Sequence, residues 1–283
     1  MIKLLLFFKF SRKAFKRYLK HWSKDFVYSG QQDIVAHVLG NGPSLNASLH
    51  LIKKEDRIAM VNFAILTDLF FQLKPSYLCL ADPVFFKNTG NDDIEQKKAQ
   101  IVQKMKDIDW ELCIVVPAGS NNEDLVVNTR YISFKFVNKT PMDYSIKFMR
   151  MFFYKRNISM PLMQNVLVLG LYIGLQQGYK KIYIHGADAD LYKKICINQD
   201  NEMVARELHY YGHSDLNLND SKTHGFAIGS LHKRLACEVA TFRSYVDLAT
   251  YADYLGIPVI NASPNSMIDA FERYDPEEGG MEE

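Results

Sequence analysis

The sequence predicts an α/β fold, a mainly parallel sheet with helices on both faces. Three observations carry this expectation. Six short apolar runs recur between residues 33 and 263, several of them separated by long helical patterns. Strand-helix alternation of this kind builds parallel sheets. The chain has 283 residues and is 48% hydrophobic, enough for one large core.

Residues 1–24 hold eight Lys or Arg and no acid, so the formal charge of +2 averages a basic start and a mildly acidic body. Within them Leu4, Phe8, Ser11, Phe15, Tyr18 and Trp22 step by four and three, while Lys9, Lys13, Lys16, Arg17 and Lys20 fall on other faces. The apolar run Leu4 to Phe8 is too short to cross a bilayer or to form a signal-peptide core. The expectation is a basic amphipathic helix over residues 1–30 that lies on an anionic membrane surface through residues 1–24, placing the protein in the cytoplasm at the inner face of the cell membrane. No basic stripe follows, which argues against nucleic acid as a partner. Cys79, Cys113, Cys196 and Cys237 form no CxxC pair, so neither a disulfide framework nor a zinc ribbon is expected.

From residue 31 to 274 the chain reads as one α/β domain. DIVAHVLG, RIAMVNFA, PSYLCLAD, ELCIVVPA, KKIYIHGAD and IPVINAS are the six strands. QNVLVLGLYIGLQQGY and ACEVATFRSYVDLATYADYLG are the helices before the fifth and sixth. A Rossmann-like sheet binds its ligand beyond the carboxyl ends of its strands, so the site belongs in those loops. Residues 275–283 read as a flexible tail.

The loop after the first strand is GNGPSL. Gly40 and Gly42 allow close approach of a ligand, Asn41 adds an amide, Pro43 fixes the bend, and Ser44 is placed to cap a following helix whose amino end attracts phosphate. It is neither a Walker loop nor a GxGxxG fingerprint, because Leu45 stands where the third glycine belongs. The stretch ELHYYGHSDL, with neither helical nor strand periodicity, reads as a flexible loop within a mobile lid of about residues 190–232. In GADADLY, Asp188 and Asp190 have the spacing with which metal-dependent transferases hold Mn2+ or Mg2+ against a nucleotide diphosphate.

In the same order along residues 33 to 270, the chain resembles the bacterial sialyltransferases of glycosyltransferase family 42. The resemblance rests on GNGPSL, on Asn62 in MVNFA, on Gly186 and Asp188 in GYKKIYIHGAD, on HYYGH, and on SPNSMI with Asn265 and Ser266. It implies a GT-A-variant domain that transfers a sialic-acid-like or Kdo-like sugar from a CMP-activated donor to a glycan or glycolipid acceptor, with no cofactor and no metal. By the same resemblance, Gly40, Asn41, Gly42, Pro43, Ser44, Asn62, Asp188, Asn265 and Ser266 bind the nucleotide and His213 is the catalytic base. A neutral imidazole takes an acceptor proton near neutral pH, and tyrosine hydroxyls can steady a departing phosphate. Tyr210 and Tyr211 fall in the same segment, His209 orients it, and His224 and His232 are rivals to His213.

The chain departs from the family at three places. Asp82 precedes Pro83 where the family has Asn-Pro, and a carboxylate there suits sugar or ribose hydroxyls. Gln164 and Asn165 stand nearest to the family's Thr-Ser-Gly stretch and would serve a sugar or carboxylate. Tyr192 is the remaining candidate for the family's phosphate-holding tyrosines, with Lys193 and Lys194 beside it. Three other readings stay open: a metal-dependent transferase using Asp188 and Asp190, a pterin pyrophosphokinase-like phosphotransferase, and a non-catalytic sugar-nucleotide-binding module. The acceptor, the linkage and the oligomeric state, a homo-oligomer included, lie beyond the sequence.

Overall fold

Burial on both faces is what the apolar runs demand, and they obtain it in a sheet. The computed structural model describes the backbone of residues 23–139, 147–209, 212–217 and 230–276, and the side chains of these outside 205–217. The six runs form β1 (Gln32–Leu39), β2 (Arg57–Val61), β3 (Tyr77–Cys79), β4 (Leu112–Pro117), β6 (Tyr179–His185) and β10 (Val259–Asn261). Two strands the sequence reading does not anticipate, β5 (Ile132–Val137) and β11 (Glu272–Arg273), close its edges. The eight-stranded order is β11-β10-β6-β1-β2-β3-β4-β5, parallel throughout.

Alternation divides the core into two layers. Ala36 and Val38 of β1 face one layer with the residues of α3 (Lys147–Lys155), α4 (Val166–Gln177) and α5 (Leu231–Leu255). Leu39 faces the other, with α1 (Asp68–Leu73) and α2 (Asp92–Met105). Helix α4 is apolar all round because it lies wholly inside: every residue from Leu167 to Gln176 is buried. Asn165 starts it, its side chain accepting from Leu167 N at 2.7 Å, and Gly178 stops it at φ +71°.

The order of strands matters more than their number. After β1 the chain builds outward through β5, then returns to lay β6 on the other side of β1. Strand order therefore reverses between β1 and β6, and the loops at their carboxyl ends mark the switch-point crevice where doubly wound sheets take ligands.

Three expectations change here. Residues 23–30, grouped in sequence with the amino-terminal helix, are turn and irregular chain, and Phe26 is fully buried against the domain core. The helix begins inside GNGPSL and is of the 3-10 type, Pro43–Leu51, without a side-chain cap at its start. The stretch read as a flexible loop contains a β-hairpin: β8 (Met203–His209) pairs antiparallel with β9 (Gly212–Asn217), and β7 (Ile195–Ile197) completes a separate three-stranded sheet. Residues 1–22, Tyr210, Tyr211, His224 and residues 277–283 lie outside the described residues. Among those described, no helix is long and apolar enough to cross a membrane.

Candidate functional site

The crevice is built by three loops held against one another through their backbones. Gly40 N donates to His185 O at 2.8 Å, and Gly42 N donates to Gly186 O at 2.8 Å, so the loop after β1 lies flat on the loop after β6. A Cβ on Gly42 would fall 1.9 Å from Asp188 Oδ2 and 2.5 Å from Gly186 O, which only glycine avoids. The third loop, after β10, joins through Ser263 Oγ, which accepts from Ala187 N at 2.9 Å, and through Met267 N, which donates to Asp188 O at 2.8 Å.

This packing reassigns several predicted residues. Ser44 does not cap a helix. Its amide and hydroxyl both donate to Asp188 Oδ2, at 3.3 and 3.0 Å, so a carboxylate of the chain itself already sits at the amino end of the 3-10 segment. The Gly40 and Gly42 amides are also taken, so these glycines hold the loops after β1 and β6 in close contact. Ser266 is buried and its hydroxyl is fully used: it donates to Ala187 O at 2.5 Å and accepts from Asn261 Nδ2 and Ile268 N. Asn265 beside it is exposed, as is Pro43. Asn41 bridges to the next strand, its Nδ2 donating to Val61 O at 3.2 Å.

Asn62 is different. It follows β2 with φ +51°, a left-handed conformation that asparagine tolerates better than most residues. Among the described residues its Oδ1, which is buried, has no hydrogen-bond partner. An orphaned buried acceptor costs about 1–3 kcal/mol. A donor group on a ligand entering the crevice would recover it. Ala189, at φ +51° in the loop after β6, is a second left-handed residue, packed against the core, and carries roughly 1–2 kcal/mol of strain.

The remaining candidates scatter. Asp82 accepts from Val84 N at 3.0 Å and caps a short 3-10 turn. Asn165 is occupied as the cap of α4, and Gln164 is exposed. Tyr192 packs edge-on to Phe242 of α5, ring centroids 6.0 Å apart. Asp190 is paired with Lys194 Nζ at 2.7 Å. Among the described residues no group of three His, Cys, Asp or Glu could hold a metal ion. His213 lies in β9 opposite Leu208, and His209 opposite Gly212, so the hairpin backbone sets both histidines near its turn. His232 sits at the start of α5, its Nδ1 3.2 Å from Ser230 Oγ.

Sequence reasoning missed a polar chain beneath the crevice. His37 of β1 and His185 of β6 are fully buried, with Nδ1 of the first 2.8 Å from Nε2 of the second. His37 Nε2 lies 2.9 Å from Asp56 Oδ2, and His185 Nδ1 lies 2.7 Å from Ser48 Oγ. Burial, then the neighbouring His37 and His50, pushes His185 down to about 3. Burial also lowers His37, against the upward pull of Asp56. Arg273 of β11, which donates to Ser263 O and Ser266 O, is a second missed support. The one signal available was a histidine inside each of two apolar strands.

No family model matches the chain, and none of the curated proteins does. Among solved structures, MAf glycosyltransferase from Magnetospirillum magneticum AMB-1 overlays with a TM-score of 0.49 at 13% identity, covering 91% of this chain and 36% of that one, so the chain spans about a third of its length. The sialyltransferase CstII from Campylobacter jejuni overlays with TM-scores of 0.41, in complex with cytidine-5'-monophosphate, and 0.42, with CMP-3FNeuAc. The identities are 14% and 15%, with 87% of each chain covered. Overlap at this level carries no chemistry from those proteins to this chain.

Proposed function

We propose that this protein is a glycosyltransferase that moves a sialic-acid-like sugar, a nonulosonate or Kdo, from a CMP-activated donor onto a bacterial surface glycan such as a lipooligosaccharide or capsule. The observation that carries the reading is the crevice between β1 and β6. There the GNGPSL and GAD loops, on which the resemblance to family 42 rests, meet at the switch point of the sheet beside an orphaned Asn62 acceptor. A nucleoside offers hydroxyl and amino donors to such an acceptor. His213, on the hairpin, deprotonates the acceptor hydroxyl, and the sugar passes through an oxocarbenium-like state as the phosphate leaves. Asp188 is spent on Ser44 and Asp190 on Lys194, which favours transfer without a metal over the Mn2+ or Mg2+ alternative. Residues 1–24 hold the enzyme at the anionic inner face of the membrane, near a lipid-linked acceptor.

Thermal stability measured against CMP, UDP, GDP and ATP, with and without Mn2+, tests this reading, because a ligand of the folded state stabilises by mass action. CMP should stabilise most, with or without Mn2+. A preference for ATP would point to phosphotransfer, a Mn2+-dependent preference for UDP or GDP to a metal-dependent transferase, and equal effects from all four would overturn nucleotide recognition.

A further inference from the structure

The Ser48, His185, His37 and Asp56 chain has only one consistent direction when both rings are neutral and Asp56 is ionised. Asp56 Oδ2 accepts from His37 Nε2–H, as it does from Lys53 N at 2.8 Å. His37 Nδ1 must then accept, so His185 carries its proton on Nε2 and donates it. His185 Nδ1 in turn accepts from the Ser48 hydroxyl. Every polar atom along the line finds its match, in an interior where an unmatched one would be costly. Tyr183 stacks on His37, ring centroids 5.3 Å apart, and fixes the ring plane.

The position of this chain gives it consequence. His185 grips the element after β1 at two points: its backbone oxygen takes the Gly40 amide, and its ring takes the hydroxyl of Ser48, inside the 3-10 segment Pro43–Leu51. The residue after it, Gly186, takes the Gly42 amide. The start and the middle of the stretch that carries Ser44 are thus tied to one residue and its neighbour. That segment is what sets Ser44 against Asp188.

We infer that Ser48, His185, His37 and Asp56 form a directional hydrogen-bond relay that positions the crevice between β1 and β6 for its nucleotide, with Ser48 and His185 as positioning residues that do not touch the ligand. The inference rests on the nucleotide reading above for its ligand, and on the geometry alone for the relay. Nothing in the chain of bonds requires a covalent step. Ser48 is buried and serves as a donor, not as a nucleophile.

Ser48→Ala removes only the last link and leaves a small cavity, so the fold should survive it. The dissociation constant for CMP should rise about tenfold, the equivalent of one net hydrogen bond. Hydrogen exchange at the Gly40 and Gly42 amides should speed up, and Ser48→Thr, which keeps the hydroxyl, should recover both properties. In the unsubstituted protein at neutral pH, 15N spectra of the imidazoles should place the proton on Nε2 of both His37 and His185. Wild-type CMP affinity and unchanged amide exchange in Ser48→Ala would overturn the positioning role, and Nδ1-protonated rings would overturn the relay. If the unsubstituted protein binds no nucleotide, the proposed function fails. The exchange rates then decide the relay alone: faster exchange in Ser48→Ala upholds it, and unchanged exchange removes it.

Discussion

The crevice loops and the small antiparallel sheet sit next to each other in sequence yet are built in opposite ways. Between Gly186 and Asp188 the chain is knitted to distant segments: to Gly42 and Ser44 across the sheet, and to Ser263 and Met267 beyond it. From Ile195 to Asn217 the described backbone pairs are those of β7, β8 and β9 with one another, and Ile197 on the outer strand is 47% exposed. The first arrangement fixes three loops against one another to within the reach of a hydrogen bond. The second carries His209 and His213 on an appended hairpin. The contrast suits an enzyme that holds its donor on the scaffold and delivers its base from outside it, and it says that binding and turnover should separate under mutation.

The widest separation is expected at His213. His213→Ala should lower turnover by 10²- to 10⁴-fold, the usual span for lost general-base assistance, while CMP affinity barely moves. The acidic limb of the turnover profile should report a group near an ordinary histidine pKa and flatten in the variant. A His213→Ala enzyme with near-normal turnover beside a dead His232→Ala enzyme would move the base to α5 and dissolve the comparison.

Acid should attack the other region first. His185 is held at about 3 when folded and lies near 6.5 when unfolded, and His37 is also lowered. The unfolded chain therefore binds more protons than the folded one between those values. Stability is fully present above about pH 6.5, falls as pH drops toward 3, and levels off below that. The groups that face these rings are Asp56, Ser48, His50 and Tyr183, and of these only Asp56 favours the protonated form. Chemical denaturation at stepped pH should show a loss on the order of a few kcal/mol from pH 7 to 4, larger than in His185→Phe, which has no such proton to take up.

A smaller effect, confined to the crevice, is expected from Gly42→Ala. The added Cβ would meet Asp188 Oδ2 and Gly186 O, neither of which can retreat while Ser44 and the Gly42 amide hold them. Forced overpacking of this kind costs about 1–3 kcal/mol. CMP affinity should fall by roughly tenfold or more, measured calorimetrically, with far-ultraviolet circular dichroism unchanged. Unchanged affinity would place the nucleotide elsewhere.

The sheet was legible because its strands are largely buried and read as runs rich in apolar residues, bounded by Gly40, Pro75 and Gly186. β5 was missed for the opposite reason: ISFKFV lies at the sheet edge, half-buried along most of its length, and mixes Ser and Lys into the run. β8 and β9 were missed because MVARELH and GHSDLN mix charged and polar residues into successive positions, leaving no two-residue apolar period to read. At the site, the positions of Gly40, Gly42 and Asp188 were legible from their types and spacing. Their partners were not, because the Ser44 to Asp188 bond spans 144 residues and depends on which strand lies beside β1. For the same reason His37 and His185 read as ordinary strand residues until the sheet paired them.

The smallest effect is expected at the border between the two regions, at Asp190. Its carboxylate is paired with Lys194 one turn on, and both side chains are partly exposed, 33% and 23%, so the pair contributes well under 1 kcal/mol. Asp188, two residues earlier, instead joins two loops through Ser44. Asp190→Asn should therefore move the melting temperature by no more than a degree or two and leave CMP affinity as it was, in Mn2+ and in its absence. Asp188→Asn should weaken CMP binding in both conditions, because Oδ2 would become an amide partner for Ser44 with less charge. Were the two aspartates a metal pair against a nucleotide diphosphate, both substitutions would cost affinity alike, and only when Mn2+ is present. Titrating the two variants side by side, with and without the ion, thus asks whether this short stretch belongs to the scaffold that holds the donor or to a metal site spread across both regions.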